Sequence, residues 1–282
     1  MNYRHAFHAG SFADVVKHAV LVRILLHLRA KPTAFRVIDT HAGAGCYDLT
    51  APQSSRSPEW QDGVQRLLTA SLSAPVGALL APYIEVIAGL NPGSKLATYP
   101  GSPLLARAFL RAQDRLVACE LEPGEAAALA ENLAGDRRAK AIAIDGWTAL
   151  KAYVPPKERR GVVLVDPPFE EVEDFARLAE GLAAAYGKWP TGIFALWYPI
   201  KDRAGPDSLA KCLRHSAVAN TLRAELTVPA REPGRLGGCG LIVVNPPWTL
   251  EKELAVMLPA LAGTLGGNGA GRFRLDWLAR EK

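Results

Sequence analysis

Asp166-Pro167-Pro168-Phe169 follows the apolar stretch Val162-Val163-Leu164-Val165, and these residue types in this order can hold an exocyclic amine. Proline fixes φ and donates no backbone hydrogen bond, so the carbonyls of such a loop stay free to accept. The Asp166 carboxylate and the Pro167 carbonyl can take both N–H hydrogens of an aromatic amine, disfavouring conjugation of its lone pair and aiming the nitrogen at a methyl sulfonium. Phe169 can stack on a base drawn out of its helix, a contact worth about 1–3 kcal/mol in single-strand recognition. Alignment for in-line transfer then supplies much of the rate. Neither a metal nor a strong general base is needed, because the sulfonium is already activated. A plain turn often uses Asp-Pro but seldom adds a second proline and an aromatic at a buried strand end.

A second group of residues suits a nucleoside. Val37-Ile38-Asp39-Thr40-His41-Ala42-Gly43-Ala44-Gly45 runs from an apolar strand into a glycine turn, where the backbone can approach a ligand closely. A bare G-x-G reads equally well as a tight turn, and its place after the first sheet strand favours the ligand. The third glycine of a dinucleotide fingerprint would fall at Asp48, which disfavours a nicotinamide cofactor. Glu120 and Asp145 end the next two apolar runs, placed to accept from a ribose and from an adenine amine, although either can instead cap a helix. With no phosphate-cradling loop, S-adenosylmethionine is the expected cofactor. Asn245-Pro246-Pro247-Trp248 repeats the proline pattern at the last strand. Chain order favours Asp166, which falls beside the glycine turn across the switch point of the sheet, and leaves Asn245 a structural residue or a wall of the cleft.

Short apolar runs alternate with Ala/Leu-rich amphipathic stretches, the pattern of an α/β fold with helices on both faces of a mostly parallel sheet. Seven strands are expected, at Phe35–Asp39, Arg115–Glu120, Ala141–Asp145, Val162–Asp166, Gly192–Tyr198, Leu222–Val228 and Leu241–Asn245. Ser11 with Asp14 three residues on reads as a cap opening a helix to about Leu28, with Lys17 and His18 in its first turns. Between 50 and 100, Pro, Ser and Gly punctuate two expected helices, Glu59–Ala70 and Val76–Gly89, read as a helical subdomain inserted after the first strand of one domain spanning 1–282. Gly101-Ser102-Pro103 reads as a turn with Ser102 as cap.

The 282 residues are 49% hydrophobic and 22% charged, which excludes disorder, collagen and coiled coil. Cys46, Cys119, Cys212 and Cys239 form no C-x-x-C, so no zinc knuckle or disulfide framework is indicated, and a reducing cytoplasm fits. The most apolar early stretch, Ala19–Leu28, is broken by Arg23 and His27 and is too short for a membrane span. Residues 1–31 carry Arg4, Lys17, Arg23, Arg29 and Lys31 against Asp14 alone, which suits a polyanion such as RNA or else a solvated helix face. Arg231 and Arg235 lie in a glycine-rich loop that can clamp phosphates or merely connect. Lys157, Arg159 and Arg160 enter the fourth strand from the far edge of the sheet, where a solvated role is expected.

Several motifs together carry a family likeness: residues 3–10 with Asp14-Val-Val-Lys-His18, Asp39-Thr-His-Ala-Gly-Ala-Gly45, Tyr99-Pro-Gly-Ser-Pro103, Asp145-Gly146, Asp166-Pro-Pro-Phe169, Ala195-Leu-Trp-Tyr-Pro199 and Asn245-Pro-Pro-Trp248. In these the chain resembles the RlmJ family, the 23S ribosomal RNA adenine-N6 methyltransferases, over nearly its whole length. The resemblance implies a class I S-adenosylmethionine-dependent methyltransferase fold with a small helical insertion. It implies that His18, His41, Ser102, Glu120, Asp145, Gly146 and Asp166 contact S-adenosylmethionine, that Asp166 also serves catalysis, and that Tyr3 meets the RNA. Lys17 and Gly43, from the cap helix and the glycine turn, join the expected cofactor set, and Arg4 joins Tyr3. Phe169 stands where the family often has tyrosine, so the ring can still stack but has no hydroxyl to offer a hydrogen bond. The expected protein is a cytoplasmic monomer, without metal or membrane, that methylates an adenine N6 in protein-free or partly assembled 23S RNA. A guanine-N2 or protein glutamine methyltransferase and a non-catalytic RNA-binding protein are the alternatives.

Overall fold

The computed structural model describes residues 7–51, 58–93, 95–171, 173–229 and 236–280. Tyr3 and Arg4, and Arg231 and Arg235 of the basic loop, lie outside the described residues. Helix α1 (Phe12–Arg29) begins at Ser11, whose hydroxyl accepts from the Asp14 amide, while the Asp14 carboxylate accepts from the Gly10 amide at 3.0 Å. Strand β1 (Arg36–Asp39) follows, then a short ladder of β2 (Cys46–Asp48) against β3 (Thr98–Pro100). Between β2 and β3 lie a wide helical turn at Gln61–Gln65, α2 (Arg66–Thr69) and α3 (Ala74–Leu90). Gly63 in that turn has no room for a side chain: a Cβ there would stand 2.1 Å from the Gly10 carbonyl. The segment thus seats its backbone on the start of α1, and Val64, Leu67, Leu80 and Tyr83 share one apolar cluster with α1.

After β3 come α4 (Ser102–Ala108), β4 (Arg115–Glu120), α5 (Pro123–Asn132), β5 (Ala139–Ala143), α6 (Gly146–Tyr153) and β6 (Gly161–Val165). The remainder is α7 (Asp174–Lys188), β7 (Ile193–Ile200), α8 (Ala204–Arg214), β8 (Thr221–Thr227), β9 (Gly238–Val244), α9 (Leu250–Leu265) and β10 (Arg272–Ala279). The main sheet runs β10-β8-β9-β7-β6-β1-β4-β5. From β7 to β5 all pairs are parallel, and β9 and β10 each run antiparallel to their neighbours. All five residues of β6 are buried, as in a parallel strand covered on both faces. Val162 and Leu164 meet the layer of α1, α4 and α9, while Val163 and Val165 meet that of α6, α7 and α8.

Eight strands replace the expected seven. The additional strand, β10, alternates Phe273, Leu275 and Trp277 with Arg272, Arg274 and Asp276, a period-two pattern on an exposed edge. Three local expectations also change. Strand β5 ends at Ala143, because Asp145 is the N-cap of α6. Gly101 and not Ser102 caps α4; Ser102 is its first helical residue and the ring of Pro103 fills the second. The expected helix Glu59–Ala70 is interrupted at Gly63, whose φ of −100° and ψ of −106° break the helical path.

Candidate active site

The chain passes from β1 to β4 on one side and enters β6 on the other, so β1 and β6 flank a topological switch point, where open α/β sheets bind ligands beyond their carboxyl ends. A cleft of about 260 Å³ opens there. Lys17, His18, His41, Gly43, Ser102, Glu120, Asp145, Gly146, Asp166, Pro167 and Pro168 all line it. Phe169 does not. Its ring is 7% exposed and packs against Phe175 and Trp197 at centroid distances of 4.9 and 6.0 Å, so it offers no face to a base. Its φ of +50° is a left-handed conformation unusual for an aromatic residue, which turns the side chain from the cleft into the core.

The glycine turn is stitched across its neighbours. Thr40 donates to the Leu164 carbonyl of β6 from both its amide and its hydroxyl at 3.0 Å, and the Ala42 amide donates to the Cys119 carbonyl of β4 at 2.9 Å. Gly43 and Gly45 take positive φ, and the Gly45 carbonyl accepts from the Gly101 amide at 2.9 Å. Glu120 braces this turn: Oε2 accepts from the Gly43 amide at 2.9 Å, and Oε1 from the Leu121 and Glu122 amides at 2.7 and 2.9 Å. Asp145 Oδ2 accepts from the Thr148 amide and hydroxyl at 2.8 and 2.9 Å, so the capping role and the cleft position coincide in one residue. Gly146 packs so tightly that a Cβ would lie 2.4 Å from His41 Nε2. His41 meets Trp147 edge to face at 5.4 Å, and burial lowers its pKa to about 4, so the ring is neutral at pH 7.

Beneath the Asp166 loop, Lys17 is 3% exposed and its Nζ lies 2.8 Å from Asp14 Oδ1 and 2.5 Å from Asp166 Oδ2. Burial alone would discharge it; the carboxylates of Asp14 and Asp166 instead hold its pKa well above the ordinary lysine range. Asp39, at the end of β1, is buried with neither carboxyl oxygen in a hydrogen bond of good geometry. Its pKa is pushed up to about 7, first by burial and further by Asp166, with the nearby Ser102 hydroxyl and Lys17 opposing. Deeper, His18 Nδ1 and the Tyr99 hydroxyl are 2.8 Å apart, and that hydroxyl pairs with Tyr83 at 2.8 Å.

Asp39, Trp147 and Arg177 are cleft or near-cleft residues to which the sequence assigned no role. The signal for Asp39 was present, since it ends its strand as Glu120 does. Arg177, stacked 4.8 Å over the Trp147 ring, has no local signature, because only the α6–α7 packing brings it there. The cleft wall is predominantly acidic, with Glu122, Glu125, Glu170, Glu171 and Asp174 joining Glu120, Asp145 and Asp166 against two cations, Arg177 and the Lys17 committed to its carboxylates. Such a wall at the switch point favours a cationic ligand and fits a sulfonium-bearing amino-acid nucleoside. No group of three or more His, Cys, Asp or Glu placed to hold a metal occurs among the described residues. No helix among them is long and apolar enough to cross a membrane.

The sheet order, with a cleft over its switch point and acidic strand ends in place of a phosphate loop, defines a class I S-adenosylmethionine-dependent methyltransferase fold. The sequence pattern of the family described as ribosomal RNA large subunit methyltransferase D, RlmJ, matches residues 32–279. Full-length relatives called ribosomal RNA large subunit methyltransferase J, from Haemophilus influenzae and Escherichia coli K12, are 37% and 38% identical, each alignment covering 100% of both chains. The crystal structure of a Legionella pneumophila protein superposes with a TM-score of 0.88 at 33% identity, over 96% of this chain and 98% of that one. The chain belongs to the RlmJ family of ribosomal RNA large subunit methyltransferases.

Proposed function

We propose that this protein methylates the exocyclic N6 of an adenine in 23S ribosomal RNA, with S-adenosylmethionine as methyl donor. One observation carries the reading: a carboxylate on a proline-stiffened loop at the switch point, its oxygen Oδ2 held by a buried lysine, faces a cleft suited to a cationic nucleoside. The full-length relatives named for the large ribosomal RNA support the substrate class. When bound, S-adenosylmethionine supplies an activated methyl group on a positively charged sulfur. The chain's own groups then do the positioning. Lys17 fixes Asp166 from below, and the remaining carboxylate capacity together with the Pro167 carbonyl receives the two N6 hydrogens, which turns the lone pair out of the ring plane. Orientation of this kind can account for several kcal/mol of barrier.

Glu120 and Asp145, already locked by backbone amides, would accept from the ribose and the adenine of the donor, and Ser102, His18 and Gly43 complete its walls. His41, neutral at pH 7, puts no charge beside the sulfonium. The base-stacking role expected of Phe169 gives way to a supporting one: its ring anchors the loop from within the core. Tyr3 and Arg4 remain RNA contacts on this reading, the 50–100 segment an inserted helical subdomain, and the working form a cytoplasmic monomer. Because the A-form major groove admits no side chains, the substrate is RNA stripped of protein or incompletely assembled.

The test is incubation with methyl-labelled S-adenosylmethionine and deproteinised 23S RNA, followed by nucleoside analysis. Labelled N6-methyladenosine is expected from free RNA and much less from assembled large subunits. Label in N2-methylguanosine or in protein glutamine, or no transfer to RNA, overturns the reading.

A further inference from the structure

The acidic cleft poses a problem for an enzyme of RNA, since its wall repels the phosphate chain whose base it must receive. The compensating charge lies at the other edge of the sheet. The approach to β1 carries Arg29 at the end of α1, Lys31 in the loop and Arg36 at the strand's start; the approach to β4 carries Arg111 in the loop and Arg115 at the strand's start; and the loop into β6 carries Lys157, Arg159 and Arg160. These three strands are adjacent, and Arg36 is in register with Arg115 on one side and Gly161 on the other, so the eight cations share one edge. Within these loops Asp114 and Glu158 are the opposing carboxylates, paired with Arg111 and Arg36. The surplus of six exceeds the formal +5 of the whole chain.

The geometry draws the cluster together. Arg111 donates to the carbonyls of Lys31 and Thr33 at 2.7 and 3.0 Å, and Arg160 to those of Leu28 and Thr33 at 2.6 and 3.0 Å. Two guanidiniums thus converge on the loop that ends α1; Arg111 is also paired with Asp114, while Arg160 is held by neutral carbonyl oxygens that leave its charge uncompensated. Burial, then Arg160 and Lys31, lower the pKa of neighbouring His27, and burial, then Arg111, lower that of Arg160. Arg29, Lys31, Lys157 and Arg159 are exposed, with no carboxylate at ion-pair distance among the described residues.

We propose that this amino-terminal edge of the sheet is a second RNA-contacting surface, which grips phosphates of the substrate remote from the base held in the cleft. The proposal rests on the RNA substrate proposed above and replaces the solvated role expected for Lys157, Arg159 and Arg160. Strands of four to six residues separate the two edges by about 13–20 Å, so a substrate must be long enough to pass around the molecule to use both. An RNA fragment carrying only the target loop engages the cleft alone.

The experiment compares the parent with the combined variant Lys31→Ala, Lys157→Ala, Arg159→Asn, all at exposed positions outside the cleft; asparagine suits the left-handed φ of +54° at 159. On long deproteinised 23S RNA, KM should rise about tenfold or more at near-physiological salt with kcat unchanged. The slope of log KM against log salt should fall by about 2, three phosphate contacts at roughly 0.7 each for single strands. On a short target oligonucleotide KM should not change, and Lys31→Arg, Lys157→Arg, Arg159→Lys should restore the parent behaviour. An unchanged KM and salt slope on long RNA overturns the proposal, as does loss of binding to phosphatidylserine vesicles without loss of RNA affinity, which would assign the edge to a membrane surface. Filter binding of the RNA reads the edge without turnover. If the parent transfers no methyl group, the proposed reaction falls while weaker RNA binding by the variant still supports this surface.

Discussion

Two loops of nearly the same sequence close strands β6 and β9, and they dispose their polar and aromatic members in opposite ways. In Asp166-Pro167-Pro168-Phe169 the carboxylate lines the cleft on a buried lysine, and the aromatic ring is sunk among Phe175 and Trp197. In Asn245-Pro246-Pro247-Trp248 the amide is spent internally, donating to the Pro190 and Gly192 carbonyls at 2.7 and 2.8 Å, and the indole is 79% exposed. The cause is strand direction. Because β9 runs antiparallel to β7, with Val244 opposite Phe194, its end lies where β7 begins, at the edge away from the cleft. Rigidity is common to both loops, and position in the sheet decides what the rigidity is used for. A Pro-Pro pair near a strand end is therefore a weak predictor of a site until the direction of its strand is known.

The largest expected effect separates the loops by activity. Asp166→Ala removes the acceptor that orients the amine, and kcat on deproteinised RNA should fall by roughly 10²–10³-fold or more, the range for loss of one preorganised partner. Single-turnover kinetics measure it, and a loss below tenfold would remove Asp166 from the amine-holding role. Asn245→Ala makes the converse case. It deletes two hydrogen bonds, to the exposed Pro190 carbonyl and the part-buried Gly192 carbonyl, and puts alanine at a φ of +50°, so stability should drop by about 2 kcal/mol. That corresponds to a Tm lower by roughly 3–4 °C, with kcat per folded molecule unchanged. Thermal melting and active-site titration separate the two readouts; a catalytic defect with an unaltered Tm would make the loops functional equals.

A third test addresses the ground on which the first loop stands. Asp39 is near enough to Asp166 to feel its charge, and burial with that repulsion lifts its pKa in the fold to about 7 from the ordinary 3.8. The folded chain therefore binds that proton more tightly than the unfolded chain does. The stability this contributes is complete below about pH 4 and is lost as pH rises toward 7. Asp39→Asn removes the ionisation, so its Tm advantage over the parent should widen between about pH 4 and 7 and level off above. Melting curves of both proteins without added cofactor across that range check the sign. An advantage that shrinks with pH would mean that donors hold the carboxylate ionised.

Much of this contrast was legible in the residues. The positions of the central strands β1, β4 and β6, and the reading that puts Asp166 beside the glycine turn across the switch point, rest on apolar runs that end in acids, because parallel strands buried on both faces announce themselves as continuous hydrophobic segments. What local pattern could not give is direction and packing. Phe169 reads as a stacking ring because nothing within four residues reports its left-handed φ or the presence of Phe175 and Trp197 behind it. Lys17 reads as a helix residue near the glycine turn; its place between Asp14 and Asp166 joins positions 149 apart in the chain. Arg177 reaches Trp147 only through helix packing. The eighth strand was the opposite case, since the alternation of Arg272 to Trp277 was there to be found.

The smallest effect concerns the indole that the second loop leaves in solvent. Trp248 follows a strand end two positions along the sheet from β6, so at about 4.8 Å per strand it flanks the basic edge at roughly 10 Å. Its ring is held out by a Pro-Pro pair and touches little, and exposed substitutions of this kind change stability within about 0.5 kcal/mol. Trp248→Ser should therefore leave Tm and kcat as they are. If the edge carries RNA, a rigid exposed indole beside a phosphate track is a platform for one base, and its removal should raise KM on long RNA about three- to tenfold while leaving short oligonucleotides unaffected. Equal KM values on both substrates would confine RNA contact at this edge to the cations, and a fall in kcat would bring the second loop into the chemistry that its strand direction denies it.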